Sequence, residues 1–300
     1  MLKFKGLVAA AFTPMQPDGS IALDKVPEMV DYAVRHKLCA LFVNGTTGEF
    51  AALSVEERFR LAEAYLHAAA GKLPIIVHAG SASVEESARL ARHARDNGAN
   101  AVAALAPFYF RPGDIRALAE ALKTIAAACA PLPFYFYHIP CLTGVNFRVY
   151  DLLPLLLEEI PNFAGVKFTH EDLMDYQRSV DFAGDRAQIM FGRDEILLAG
   201  LALGAEAAVG STYGFAPRIY QRILDAFAAG NLSEARHWQE RSQAMIGFLP
   251  RYGFAVQKLM MKMAGVDVGP ARQPVTNLTP ALVDEFRVSL QRAELLDLLG

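Results

Sequence analysis

Three hundred residues, 53% hydrophobic and 20% charged, suffice for one large α/β domain or two ordinary ones and bury enough apolar surface to exclude a disordered chain. A net charge of −3 gives no electrostatic basis for binding nucleic acid or an anionic membrane. The cysteines, Cys39, Cys129 and Cys141, are odd in number and form no CxxC pair, which argues against a disulfide framework or a thiolate metal site and for a reducing, cytoplasmic setting.

The chain opens MLKFKGLVAAAFTP. Its apolar run stops at Thr13-Pro14 after about six residues, short of the roughly seven to fifteen of a secretory signal, and reads as a first strand, Leu7–Phe12. Further strands are predicted at Ala40–Asn44, Pro74–His78, Ala101–Ala106, Pro133–His138, Ala164–Phe168, Gln188–Phe191 and Ala207–Gly210. Most are continuous apolar runs, as expected of parallel strands buried on both faces. Between them lie helical segments such as SVEERFRLAEAYLHAAAG and SVEESARLARHARDNG, each opening with Ser and a Glu three residues on and stopping at Ala70-Gly71 or Asn97-Gly98. Strand and helix in alternation, eight times over, predict a closed TIM (β/α)8 barrel across residues 1–230. An open doubly wound sheet is the rival, but no GxGxxG follows the first strand. Beyond about residue 212 only helical patterns remain. FAPRIYQRILDAFAAG is expected as the eighth barrel helix, and three more helices as a C-terminal helical extension over residues 231–300. The longest apolar stretch, Ile196 to Ala205, is too short for a bilayer span of about 20 residues.

Barrel chemistry sits where strands end, so polar residues there carry information. Lys167 lies inside the apolar run FAGVKFT. Burial lowers the pKa of an amine and makes it a nucleophile toward a carbonyl, although a strand lysine can equally reach solvent or pair with a carboxylate. Tyr137, near the end of FYFYHIP, is either a core aromatic or a proton shuttle. The turn NGTTGE, with Thr46 and Thr47 between glycines, is either an ordinary turn or a cradle of N–H groups for a carboxylate. Asp194 and Glu195 follow the seventh strand and Ser211 the eighth; they suit either a helix start or a polyol ligand. The seven histidines form no HxH or HExxH pair, so a metal site is disfavoured. No GxSxG elbow is present for a serine nucleophile.

Together, NGTTGE (44–49), YFYHIPCLTG (135–144), GVKFT (165–169), FGRDE and AVGSTY closely resemble the dihydrodipicolinate synthase/N-acetylneuraminate lyase superfamily over nearly the whole chain. Within it the sequence looks most like the N-acetylneuraminate lyases. The resemblance implies that Lys167 forms an imine with a small-molecule 2-keto acid and that Tyr137 moves protons, with Thr46 as a relay. It places the substrate carboxylate on Thr46 and Thr47, and the sugar-acid chain on Thr169, Gly192, Asp194, Glu195 and Ser211. It also implies no metal or organic cofactor, and a homotetramer in which Tyr109 is lent across an interface.

The superfamily's lysine-biosynthesis synthases carry an arginine two residues after the proline of Tyr-x-x-Pro, where it binds a second carboxylate. Leu142 stands there in this chain, and a neutral side chain cannot make that bidentate contact. Arg193, between Gly192 and Asp194, has no assigned effect on specificity. The alternatives are an aldolase for another 2-keto-3-deoxy sugar acid, the synthase, and a barrel that binds ligands without catalysis.

Overall fold

A computed structural model describes residues 3–300. Eight parallel strands close into a barrel in chain order: β1 Gly6–Ala10, β2 Ala40–Val43, β3 Ile75–His78, β4 Ala101–Leu105, β5 Phe134–His138, β6 Phe163–Phe168, β7 Gln188–Phe191 and β8 Ala207–Gly210, with β8 pairing back to β1. The expected strands match within one or two residues. The largest difference is at β1, which stops at Ala10 although Ala11 N–H still donates to Phe42 O.

Alternate side chains serve two cores. Phe42, Ile76, Tyr135, Tyr137, Met190 and Val209 fill the barrel, while Leu41, Val43, Ile75 and Val77 pack outward under the helices. The helix starts follow their caps. At Ser54 the hydroxyl accepts from Glu57 N–H and the Glu57 carboxylate accepts from Ser54 N–H, a complete capping box. At Ser83 only the first half forms, because the Glu86 carboxylate turns to the Ser81 hydroxyl.

One irregularity decides where the chemistry points. The β5–β6 register pairs Phe134 with Phe163 but Tyr135 with Gly165, so Ala164 is an inserted residue. Ala164 faces the barrel interior, and strict alternation from it would turn Lys167 outward. The bulge shifts the phase by one, and Lys167 enters the barrel beside Tyr137, its register partner. Gly165 permits this: its φ is +153°, and a Cβ there would overlap the Gln188 carbonyl.

Beyond β8 come helices Pro217–Ala228, Leu232–Ile246, Ala255–Met263 and Pro280–Arg292. The second is shorter than its pattern: it ends before Gly247, and a separate turn, Leu249–Tyr252, begins beside Pro250, which cannot donate to a preceding carbonyl. No helix among the described residues is long and apolar enough to cross a membrane.

Residues after 231 clamp the strand-end face. Lys258, nearly sealed from solvent, donates to Glu49 Oε1 at 3.0 Å, Thr13 O at 2.9 Å and Pro270 O at 2.5 Å. Arg272 N–H donates to Glu49 Oε2 at 2.7 Å, and its guanidinium binds both oxygens of Glu57 at 2.6 and 2.7 Å. Glu49 is itself left-handed, with φ +57°, a conformation that costs a non-glycine residue about 1–2 kcal/mol. Breaking one side of a buried ion pair leaves an uncompensated charge. Lys258→Met is therefore expected to lower unfolding free energy by about 3–5 kcal/mol in urea titration. The Glu49→Gln/Lys258→Met double variant should lose less than the sum of the single losses. Additive losses would mean that the two groups are not coupled.

Candidate active site

Lys167 is 4% exposed. Its Nζ lies 3.9 Å from the centroid of the Tyr137 ring and 4.1 Å from that of Phe42. Burial among these rings pulls the amine down to about 7, against the weaker opposing pull of Asp194. The Tyr137 phenol is pushed up to about 12 by burial, with the Thr46 and Thr169 hydroxyls acting in the other direction. Its oxygen stands 3.5 Å from Thr46 Oγ1, and either can donate. A neutral amine is thus available near pH 7, with a protonated phenol at its side.

Thr46 hangs on a turn fixed at both ends. Asn44, left-handed with φ +58°, donates from its amide to Arg58 O at 2.9 Å, while its carbonyl accepts from His78 Nδ1 at 2.8 Å. Asparagine is among the few non-glycine residues that tolerate this conformation. His78 is fully buried, and desolvation, then the charge of Arg58, hold it neutral. It packs edge-on against Tyr137, with ring centroids 5.7 Å apart. At the other end of the turn, Glu49 is held by Lys258 and Arg272, and the Gly48 carbonyl accepts from Thr13 Oγ1 at 2.6 Å.

A cavity of about 260 Å³ brings Lys167, Tyr137, Thr46 and Thr47 together with Thr169, Gly192, Arg193, Asp194, Glu195 and Ser211. Asp194 is not a simple first-turn carboxylate. Its Oδ2 accepts from the Thr212 hydroxyl at 2.6 Å and the Thr212 N–H at 3.1 Å, tying the end of β7 to the end of β8. A Cβ on Gly210 would overlap this carboxylate. Burial lifts Asp194 to about 6, although the Thr212 bonds oppose it. Arg193 bridges Glu171 and Glu195, with 2.7 Å to Glu195, so Glu195 stands at the cavity with its carboxylate already anchored.

Tyr109 stands apart from this group: it is 77% exposed and packs edge-on against Phe110, itself 84% exposed. Leu142, 59% exposed, lines a neighbouring apolar cavity of about 490 Å³ with Phe50, Phe108 and Phe254. The 260 Å³ cavity also has a wall that strand-end reasoning did not find: Ile246, Leu249, Phe254 and Gln257, all from the chain beyond residue 231. No signal in the sequence marked these residues: Gln257 stands between Val256 and Lys258 in an ordinary amphipathic pattern.

The chain belongs to the dihydrodipicolinate synthetase family, whose model matches residues 3–293. Among its relatives it is 39% identical to the N-acetylneuraminate lyase of Mus musculus over 300 residues, 98% of this chain and 94% of that one. It is 40% identical to the N-acetylneuraminate lyase of Homo sapiens over 302 residues, with 98% and 94% covered. The solved structure of Proteus mirabilis N-acetylneuraminate lyase superposes with a TM-score of 0.94 at 33% identity, covering 97% of this chain and 99% of that one.

Proposed function

We propose that this protein is an N-acetylneuraminate lyase: a carbon–carbon lyase of the class I aldolase type that splits N-acetylneuraminate reversibly into N-acetylmannosamine and pyruvate. The observation that carries the reading is the desolvated Lys167 amine set against Tyr137 and Thr46 in one cavity. Kinship with N-acetylneuraminate lyases over nearly the full chain supports the substrate.

Neutral Lys167 attacks C2 of the open-chain keto acid, whose carboxylate rests on Thr46 and Thr47. The carbinolamine hydroxyl leaves as water with the Tyr137 proton, giving a cationic imine beside a phenolate. The C3–C4 bonding pair then flows into the imine, and the phenolate takes the C4 hydroxyl proton. This yields an enamine and the aldehyde product. Tyr137 returns its proton to C3, and water hydrolyses the resulting pyruvate imine. Thr46 relays to the phenol, while Thr169, Gly192, Asp194, Glu195 and Ser211 receive the hydroxylated chain. Leu142 offers no charge for a second carboxylate, which speaks against the synthase reaction.

A panel of N-acetylneuraminate and shorter 2-keto-3-deoxy acids with pyruvate detection tests the substrate, and borohydride trapping with peptide mapping tests the chemistry. N-acetylneuraminate should be the best substrate, and the adduct should map to Lys167. Faster cleavage of a shorter acid would overturn the substrate, and an adduct elsewhere would overturn the site. Because Lys167 must be neutral to attack and its amine is held at about 7, the rate of pyruvate adduct formation should rise tenfold per unit of pH below about 7 and level off above. A rise continuing toward pH 10 would show an unshifted lysine.

Exposed Tyr109 and Phe110 further support a homotetramer in which Tyr109 reaches a neighbour's site; a monomeric mass in light scattering would remove that element.

A further inference from the structure

The wall supplied by the helical extension is chemically unlike the wall supplied by the strand ends. The strand ends present Thr169, Asp194, Glu195 and Ser211, groups suited to hydroxyls. The extension presents three apolar side chains, Ile246, Leu249 and Phe254, around a single amide, Gln257. Gln257 Oε1 is sealed from solvent and has no hydrogen-bond partner among the described residues. The nearby glutamines of helix Leu232–Ile246 differ: Gln239 accepts from Leu198 N–H at 2.8 Å and donates to Asp194 O at 3.1 Å, and Gln243 donates to Glu195 O at 2.9 Å. Those two hold the fold. Gln257 Oε1 takes no such part among the described residues, and a buried acceptor without a donor is destabilising.

We propose that Gln257, with the apolar wall around it, forms the subsite that recognises the acetamido group on C5 of the substrate. An acetamido group offers one N–H, one carbonyl and one methyl. The trans geometry of a secondary amide points its N–H and its carbonyl in opposite directions, so Gln257 Oε1 takes the N–H alone and the carbonyl faces away from this wall. The methyl then falls among Phe254, Ile246 and Leu249, where a hydroxyl would find no partner. A polyol chain would want several polar groups, and this wall has one. The assignment rests on the lyase reading above and narrows it: the enzyme distinguishes an N-acetylated sugar acid from its deaminated, C5-hydroxy counterpart.

The test compares kcat/KM for N-acetylneuraminate with that for the C5-hydroxy acid of equal length, in the full-length protein and in Gln257→Leu. The unaltered protein should prefer the acetamido substrate. Gln257→Leu should lose about tenfold in kcat/KM on that substrate, mainly through KM, and change by less than about twofold on the hydroxy acid. Pyruvate trapping on Lys167 should keep its rate, which a general disturbance of the site would not allow. Gln257→Met, unbranched and of similar length, guards against repacking by leucine and should behave alike. Equal losses on both substrates, or no loss on either, would overturn the assignment. Failure of the unaltered protein to cleave N-acetylneuraminate would sink the lyase reading and this inference together, whereas cleavage with an unchanged preference in Gln257→Leu sinks the inference alone.

Discussion

Lys167→Ala is expected to abolish the borohydride-trapped pyruvate adduct and to lower cleavage of N-acetylneuraminate by on the order of 10⁴-fold or more. The size follows from what is lost: without an amine there is no imine, and the C3–C4 bonding pair has nowhere to go. Lys167→Arg should be equally inactive, because a guanidinium stays protonated at any working pH. Neither change should unfold the protein, since a buried amine contributes little to a core and is costly to desolvate. Adduct formation in Lys167→Ala at the normal rate would assign the imine to another lysine. The nearest competitor by burial is Lys258, whose donors are already spent on Thr13, Glu49 and Pro270.

Tyr137→Phe is expected to behave differently. The phenyl ring keeps the packing against Phe42 and His78, and the Lys167 amine keeps its apolar surroundings. The trapped pyruvate adduct should therefore reach the same final yield, though more slowly. Carbon–carbon cleavage should fall by roughly 10²–10⁴-fold, the usual worth of a positioned proton-transfer group. The contrast between the two variants is the informative result, because it separates bond formation at C2 from bond breaking at C3–C4. Near-normal turnover in Tyr137→Phe would transfer the proton role to Thr46, the hydroxyl 3.5 Å from the phenol.

The barrel was legible because its strands are buried on both faces and so read as unbroken apolar runs. Lys167 was legible for the complementary reason, a charge where packing would place none. The direction in which it points was not legible: that depends on the extra residue Ala164 and on the register β6 takes against β5. Glu49 read only as the end of a turn, since its partner Lys258 lies 209 residues away in sequence and each looks unexceptional alone. Asp194 lines the cavity, and its bond to Thr212 spans two strand ends that only closure of the barrel brings together. Gln257 had a helical surround and no distinguishing neighbour, so its unpartnered carbonyl oxygen emerged only once the cavity existed.

The hold of Lys258 and Arg272 on Glu49 also has a temporal side. During synthesis the eighth strand is complete at Gly210, and the barrel can close while the rest of the chain is still unmade. The turn bearing Thr46 and Thr47 nevertheless has a buried carboxylate at its end that gains its counter-charge only when Lys258 arrives and its backbone donor only when Arg272 does. Order at the Thr46–Thr47 turn is thus withheld from chains that lack residues 258 and 272.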